Sequence, residues 1–329
     1  MKAIVQDRYG SPDVLRLSEV DQPVPADNEV LVRVHAASVN ARDWHVMRGD
    51  PYLARLMAPA VFGFSAPKVR IPGTDFAGRV EAVGRAVTRL RPGDEVFGET
   101  HGAFAEYVCV PDGLVEQKPA NLTFEQAAAM PLAANTALMG LRDLARVQPG
   151  QHVLINGASG GVGTFAVQIA KSMGAEVTGV CSTRNTDLVR SLGADHVVDY
   201  TRDDFTRTGR RYDVVFDLVG NRSLTDCRRA LTPTGMLILS GGGVSKGGSL
   251  IGPIGLLIRG QLLSRFVRHR LLALTAAQSK ENLATLRELA ESGKITPVID
   301  RTYPLSEAPE AVRYLEVAHA RAKVVITAA

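Results

Sequence analysis

The sequence predicts an α/β protein made of a β-rich part and a doubly wound parallel sheet. Three observations carry this prediction. Short β-branched and aromatic runs fill residues 1–120, strand and helix patterns alternate strictly after Asn121, and the stretch INGASGGVG at 155–163 joins an apolar strand to a helix. Alternating strand and helix units are typical of a parallel sheet with helices on both faces.

The β-rich part is predicted from six short runs that Pro-rich and Gly-rich turns separate. These turns include QPVPADN and RPGD, which contain the residues that favour turns. Several antiparallel strands with little helix indicate a compact barrel-like domain. The six runs are KAIVQ, LRLSEV, EVLVRVHAASV, GRVEAVG, DEVFG and AFAEYVCV.

The alternating part begins with a helix that Thr123 and Gln126 open as a capping box, followed by a second helix near residues 135–146. Helices over 161–173 and TDLVRSL then lie between strands. Near the C-terminus we predict two more helices and a last strand, KVVIT, and we expect them to pack on the β-rich part. The five intervening strands are HVLIN, EVTGV, HVVDY, DVVFDLVG and GMLILSG, and the two late helices span 279–292 and 306–319.

Composition excludes several classes of protein. Cys109, Cys181 and Cys227 are far apart and form no CxxC pair, which excludes a disulfide scaffold and a Cys-rich zinc site and suits a reducing cytoplasm. The N-terminal MKAIVQDRYG has no apolar signal core. The net charge of +4 is too small an excess for a specific nucleic-acid partner, and we interpret RTGRR as a solvated loop.

The longest apolar tract spans residues 250–274. Four arginines and Pro253 interrupt it, whereas a membrane-spanning helix needs roughly 20 uninterrupted apolar residues, so we expect no span. A basic amphipathic segment that lies on a membrane remains an alternative. A buried substrate lid or a subunit contact is the preferred interpretation.

The glycine-rich stretch predicts a dinucleotide site. Ala158, Gly160 and Gly163 hold the three glycine positions of a GxGxxG pattern, with an apolar strand before it and a helix after it. Gly160 lets the backbone approach a pyrophosphate, Gly163 lets the helix pack on the strand, and the helix N-terminus, with Gly161 and Val162, offers free N–H groups to the anion. A tight turn without a ligand is the alternative.

The end of the second strand predicts which dinucleotide binds. An NAD site places an acidic residue there, but this sequence has Cys181 followed by Ser182, Thr183 and Arg184. Small hydroxyl groups and an arginine suit a ribose 2′-phosphate, because arginine makes charge-assisted bonds to it. We therefore predict NADPH as cofactor. The alternative is that Arg184 only faces solvent and that the cofactor is not discriminated.

The order of motifs resembles the medium-chain dehydrogenase/reductase superfamily, and within it the zinc-free quinone oxidoreductase (zeta-crystallin-like) branch. The resemblance covers nearly the whole chain. It implies a GroES-like catalytic domain at 1–122, completed by 276–329, a Rossmann NADP-binding domain at 123–275, and a homodimer formed near 265–274. The motifs are VRVHAASVNARDWHVMRG, IPGTDFAGRVEAVG, RPGDEVFG, MPLAANTALMGL, INGASGGVG, GADHVVDY, VVFDLVG and AKVVIT.

The resemblance also bears on zinc. Zinc-dependent relatives carry an early Cys and a His-Glu pair, whereas this sequence has Asn40, Asp43 and the pair Thr74-Asp75 at those places. A catalytic zinc takes three N, S or carboxylate ligands and keeps one position open. We therefore expect no metal site, and we expect hydride transfer to an acceptor that is already electrophilic, such as a quinone or an α,β-unsaturated carbonyl compound.

The resemblance assigns roles to further residues. Asn40 is expected beside the nicotinamide and Tyr52 as a hydrogen-bond donor to the acceptor oxygen, so these two are the catalytic candidates, with His45 and Arg48 as weaker ones. The other expected cofactor contacts are Thr136 at the start of a helix, Tyr200 near the adenosine phosphate, Asp217 at the end of the fourth strand (or as a structural cap there), and Gly241 and Gly242 near the nicotinamide ribose.

Two other functions remain open at this stage. An enoyl-thioester reductase of the same superfamily would need a longer acyl channel and a tyrosine that acts as the proton donor. Tyr52 lies near the position in the sequence where that tyrosine is expected. A low-turnover NADPH-binding regulatory protein that contacts RNA has only the sequence pI of about 9.0 in its favour.

Overall fold

The computed structural model describes residues 1–240, 248–252, 254–317 and 320–328. Contacts divide the chain into two compact units. The first comprises the described residues of 1–135, 248–250 and 277–328, and the second comprises those of 136–240 and 251–276. The C-terminal segment therefore belongs to the first unit, as the sequence predicted.

The strands account for three sheets. Those of the first unit form a two-stranded sheet, β1-β2, and a seven-stranded sheet, and those of the second form a six-stranded sheet. The strands are β1 Lys2–Val5, β2 Arg16–Glu19, β3 Glu29–Val39, β4 Asp75–Val83, β5 Glu95–Glu99, β6 Tyr107–Pro111, β7 Val115–Gln117, β8 His152–Asn156, β9 Glu176–Cys181, β10 His196–Asp199, β11 Tyr212–Asp217, β12 Leu231–Leu239, β13 Arg270–Ala273, β14 Ile299–Pro304 and β15 Lys323–Thr327.

The helices are mostly short. A π-helical segment, Met139–Ala145, directly follows α5. The α-helices are α1 Ala41–Arg48, α2 Tyr52–Met57, α3 Pro59–Phe62, α4 Phe124–Ala128, α5 Pro131–Leu138, α6 Gly161–Ser172, α7 Thr186–Ser191, α8 Leu224–Arg229, α9 Ile254–Ser264, α10 Lys280–Glu291 and α11 Ala308–Val317.

The six-stranded sheet of the second unit confirms the predicted doubly wound arrangement. Its order is β10-β9-β8-β11-β12-β13, and each neighbouring pair is parallel. The order reverses between β8 and β11, which is where ligands bind in open α/β sheets. This edge carries the glycine turn after β8.

The larger sheet of the first unit has the order β14-β15-β3-β4-β5-β7, with β6 also paired to β3. It is mixed, because β14, which the sequence analysis did not predict, runs parallel to β15. β15 pairs antiparallel with β3, so that Val324 lies opposite Val39. This pairing brings the C-terminus of the chain beside the segment that starts at Asn40.

Two of the sequence predictions are corrected. The second helix begins at Pro131 rather than near 135, because proline is well suited to the first turn of a helix, and Thr136 therefore lies inside α5 and not at its start. Residues 50–67 and 243–270 have a sequence that is typical of loops, but their described parts contain α2, α3 and α9. The two contact-defined units divide after Asn135, and α4 packs on β3 and β4 of the first unit, while the domain bounds at 122 and 276 remain a prediction.

Candidate functional site

The glycine turn after β8 is built by close backbone approaches. A Cβ on Gly163 would stand 2.0 Å from the Gly157 carbonyl oxygen, so only glycine allows α6 to pack against the turn. Among the described residues, a Cβ on Gly160 would meet that same oxygen alone, at the ordinary contact distance of 3.4 Å. Ala158 is fully buried, and its N–H donates to the Val180 carbonyl over 3.0 Å.

The N-terminus of α6 fits a dinucleotide pyrophosphate. Gly160 is the N-cap residue, and the first amides of the helix, those of Gly161, Val162 and Gly163, have no acceptor within the helix. These donors, together with the partial positive charge of a helix N-terminus, suit an anion. Because Gly160 has no side chain, the anion could come close to the backbone.

The ends of β9 and β10 bring Thr183 and Tyr200 to one edge of the sheet. The hydroxyl of Thr183 donates to Asp199 over 2.5 Å and lies 3.0 Å from the Thr201 hydroxyl. Tyr200 is half exposed, and its N–H donates to the Cys181 carbonyl. A carboxylate, Asp199, therefore stands at the edge where the sequence analysis expected only hydroxyl groups and an arginine.

Asn185 lies behind this edge, and the sequence analysis did not single it out. It is buried, and its Nδ2 donates to Ser159 over 3.0 Å and to Ser182 over 3.4 Å. Its Oδ1 is buried with no hydrogen-bond partner among the described residues. An unpaired buried acceptor is costly, so this atom favours a further donor beyond the described residues. Arg184 is exposed on the same short helix.

Asp217 caps the turn after β11, which is the alternative role that the sequence analysis gave it. Its Oδ1 accepts from the amides of Val219 and Gly220 and from Asn156 Nδ2, at 2.9–3.1 Å, which closes the turn after β11. Its Oδ2 is buried and has no partner among the described residues. Thr136 is buried within α5. Gly241 and Gly242 lie outside the described residues.

In the first unit, Asn40 is the N-cap residue of α1, and both polar atoms of its side-chain amide form hydrogen bonds. Its Nδ2 donates to Asp75 over 3.0 Å and to the Ser38 carbonyl over 3.3 Å, and its Oδ1 accepts from Lys323 over 2.5 Å. Its N–H donates to Asp43 over 2.8 Å. The Asn40 amide is therefore rigid and almost completely buried.

The partners of Asn40 form a buried ion pair that the sequence analysis missed. Lys323, at the start of β15, is 2 % exposed, and its Nζ lies 3.5 Å from the fully buried Asp75 carboxylate. Asp75 also accepts from the Ser38 hydroxyl and from the Leu132 amide. The only signal in the sequence was a lysine that opens the apolar run KVVIT.

Two further buried carboxyl groups lie in the first unit. Burial raises the pKa of Asp43 to about 6, although Thr74 donates to it over 2.8 Å. Burial and the nearby Asp75 charge raise the pKa of Glu99 to about 7. Glu99 Oε1 has a long bond of 3.4 Å from Asn135, and Oε2 has no partner among the described residues.

We expect Glu99→Gln to change how stability depends on pH. A folded-state pKa raised above the ordinary 4.5 gives stability that is fully present below pH 4.5 and is lost as pH rises through about 7. Glutamine does not titrate, so the free energy of unfolding should shift in favour of the variant by about 1–3 kcal/mol between about pH 4.5 and pH 8. Urea unfolding over this range measures the shift.

Glu19→Gln is the matched control, because Glu19 is exposed on β2. Its difference from the parent protein should stay within about 0.5 kcal/mol at every pH. Parallel stability curves for the parent protein and Glu99→Gln would contradict the raised pKa.

Tyr52 opens α2 and is 45 % exposed. Arg55 lies over its ring at 4.8 Å, and no residue in the described part of the chain bonds its hydroxyl. The two weaker candidates are engaged elsewhere. His45 Nδ1 lies 2.8 Å from the Asp50 carbonyl, and Arg48 pairs with Glu316.

Metal-binding geometry is absent among the residues that the structure describes, which contain no group of three or more His, Cys, Asp or Glu side chains able to hold an ion. Asn40, Asp43, Thr74 and Asp75 are instead joined by hydrogen bonds to one another or to neighbouring side chains. Within the same described ranges, no helix has both the length and the apolar character that crossing a membrane requires.

Two protein-family models match the sequence. The model described as "Alcohol dehydrogenase GroES-like domain" matches residues 26–120, and the one described as "Zinc-binding dehydrogenase" matches residues 192–326.

Similar proteins cover the whole chain. "NAD(P)H oxidoreductase RTN4IP1, mitochondrial" of Mus musculus is 36 % identical over 359 residues, which cover 99 % of this chain and 89 % of the relative. "2-methylene-furan-3-one reductase" of Solanum lycopersicum is 36 % identical over 341 residues, which cover 99 % of this chain and 79 % of the relative. The solved structure of Escherichia coli quinone oxidoreductase complexed with NADPH matches with a TM-score of 0.83 and 26 % identity, covering 100 % of both chains.

Proposed function

Because the chain belongs to the medium-chain dehydrogenase/reductase superfamily, in its quinone oxidoreductase branch, we propose that it is an NADPH-dependent oxidoreductase acting on a quinone or an α,β-unsaturated carbonyl compound. The glycine turn carries this proposal. Gly160 precedes three amides that have no acceptor within the helix, at the edge where the order of parallel strands reverses. The names of the relatives support the acceptor class.

The cofactor contacts are proposed as follows. The turn and the first amides of α6 bind the pyrophosphate, and Ser182, Thr183 and Arg184 bind the 2′-phosphate. The attraction of Arg184 for the 2′-phosphate has to exceed the repulsion from the Asp199 carboxylate. That carboxylate already accepts hydrogen bonds from Thr183 and Thr201 and lies 3.7 Å from Arg202. The remaining proposed contacts are Asn40, Ala158, Gly160, Gly161, Val162, Gly163, Thr136, Tyr200, Asp217, Gly241 and Gly242.

Bound NADPH would supply a hydride to the acceptor carbon, and negative charge would develop on the acceptor oxygen. Tyr52 is the proposed donor to that oxygen, since its hydroxyl has no bond from any residue within the described ranges. A donor of this kind contributes about 10²–10³ in rate. Asn40, whose amide atoms are already bonded to Asp75 and Lys323, is proposed to give the nicotinamide a rigid polar neighbour.

We also propose a cytoplasmic homodimer. β13 ends the order of the six-stranded sheet and pairs only with β12 among the described strands, so its outer edge has backbone groups available for a second copy. Antiparallel pairing of the two β13 edges would join two sheets into one.

The function is tested by following NADPH and NADH oxidation with quinones, enones and enoyl thioesters. We expect turnover with NADPH on a quinone or an enone, and activity that survives treatment with a chelator. Arg184→Ala should lower the preference for NADPH over NADH at least about tenfold, the worth of a charge-assisted bond. Arg190→Ala, an exposed arginine on the next helix, is the control and should leave the preference unchanged.

Three outcomes would overturn parts of the proposal. Turnover on enoyl thioesters alone would assign the alternative acceptor, and tight NADPH binding with no turnover on any acceptor would indicate a regulatory protein. An unchanged cofactor preference in Arg184→Ala would show that this residue does not read the 2′-phosphate.

A further inference from the structure

Helix α9 has two apolar faces, of which one is used within its own unit. Leu256, Leu257 and Leu263 pack against the core cluster of the second unit, together with Val267 just beyond the helix. Gly260 is buried there, where a Cβ would stand 2.5 Å from a methyl group of Leu239. This inner face fixes the helix on the sheet.

The outer face presents a second apolar stripe. Ile258 is 45 % exposed, Leu262 is 54 % exposed and Phe266 is 84 % exposed. Ile258 and Leu262 are one helical turn apart, and Phe266 follows in the turn after the helix, where its N–H donates to the Leu263 carbonyl. Exposed apolar side chains that line up in this way mark an interaction surface.

Unpaired positive charge surrounds this stripe. Arg259, Arg265 and Arg268 are exposed, and none of their side chains forms an ion pair or hydrogen bond with a residue in the described part of the chain. The sequence has no aspartate or glutamate between Asp226 and Glu281. No acidic side chain in this segment balances the arginines, so the surface is complementary to an anionic partner.

We propose that this surface, formed by Ile258, Arg259, Leu262, Arg265, Phe266 and Arg268, binds the face of an anionic lipid bilayer. Isoleucine, leucine and phenylalanine flanked by arginine are typical of helices that lie in a membrane interface. Each arginine near an anionic bilayer contributes about 1 kcal/mol. A second copy of the chain is a poorer occupant, because an identical surface offers the arginines no acidic partner.

The proposed surface lies close in sequence to the edge proposed for dimerisation, since Arg265, Phe266 and Arg268 directly precede β13. The test must therefore distinguish a bilayer from a second copy of the chain.

Membrane binding would place the site where apolar quinones dissolve, a consequence that rests on the proposed function, whereas binding itself does not. The test is sedimentation of the full chain with vesicles of phosphatidylcholine alone or with about 30 % phosphatidylserine. We expect binding only to the anionic vesicles, weakened by salt. Arg265→Glu with Arg268→Glu should weaken it at least about tenfold.

Arg207→Glu with Arg210→Glu is the matched control, because it makes the same change of net charge at two exposed arginines elsewhere in the second unit. A second readout uses Phe266→Trp, since the only native tryptophan, Trp44, is fully buried. Its fluorescence should shift to the blue when anionic vesicles are added. Thermal unfolding verifies that each variant is folded.

Four results would overturn the proposal. They are no binding to anionic vesicles, equal binding to neutral and anionic vesicles, an equal loss of binding in the control variant, or a dimer that Leu262→Ser with Phe266→Ser converts to monomer. The last result would assign the face to a second copy of the chain. None of these readouts depends on turnover, so failure here is distinguishable from failure of the proposed function.

Discussion

Replacing Lys323 by methionine will lower the free energy of unfolding by about 3–5 kcal/mol. The Lys323 ammonium is almost fully buried, 3.5 Å from the Asp75 carboxylate and 2.5 Å from Asn40 Oδ1. Methionine keeps the unbranched shape of the side chain and removes its charge. Asp75 then stays buried without its cation, which costs far more than the loss of a surface ion pair. Denaturant unfolding monitored by circular dichroism measures the change.

Lys171→Met makes the same substitution in an exposed pair. Lys171 bonds Asp195 over 2.8 Å, with both side chains about one-third exposed, so we expect a loss of about 0–1 kcal/mol. Adding Asp75→Asn to Lys323→Met should recover part of the loss, because the two residues are in direct contact. Equal losses in the two lysine variants would refute the buried pair as a major source of stability.

Gly163→Ala will abolish NADPH binding and destabilise the second unit by about 1–3 kcal/mol. The added methyl group would stand 2.0 Å from the Gly157 carbonyl and 2.8 Å from two backbone atoms of Ala158. These are backbone atoms and cannot rotate aside, so α6 must move away from the turn. Calorimetric titration with NADPH and thermal unfolding measure the two effects.

Two other glycines provide the controls. Gly113→Ala adds a methyl group with nothing within 4 Å and should change neither property. Gly160→Ala has room on the protein side, so we expect it to keep normal stability and to lose at least about tenfold in NADPH affinity, since its methyl group blocks the close approach of a phosphate. Normal NADPH affinity in both Gly160→Ala and Gly163→Ala would show that the cofactor binds elsewhere.

The predictions that held concern features written in a few neighbouring residues. The capping box at Thr123 is present in both directions, with the Gln126 amide donating to the Thr123 hydroxyl and the Thr123 amide to the Gln126 side chain. Gly174 follows α6 with a φ of +80°, as expected for a residue that ends a helix in the left-handed region. Strand and helix alternation predicted the parallel sheet, because each period depends only on local spacing.

The predictions that failed concern segments whose conformation depends on distant partners. α2 lies in a stretch that reads as a loop, and its first two amides donate to the carbonyls of Ser249 and Leu250. β14 has no buried residue, so its hydrophobic pattern is weak, and it is a strand because β15 pairs with it. Local propensity was too weak to decide either element.

The candidate site shows the same division. The glycine turn could be predicted because its donors come from one continuous stretch. The contact between Asn40 and Lys323 joins residues 283 positions apart and exists because β15 pairs with β3. The outer face of α9 could not be predicted either, since periodicity shows that a helix is apolar but not which apolar face the core covers.

The amino-acid sequence by itself therefore determined the two kinds of fold unit, the glycine turn and the family. Tertiary structure alone decided the buried charge pair behind Asn40, the acidic neighbour of Thr183, and the exposed basic face of α9. The physical reason is the separation along the chain over which each interaction acts. Backbone conformation and glycine chemistry act between neighbours in the chain, whereas burial and charge pairing depend on which distant segments the folded chain brings together.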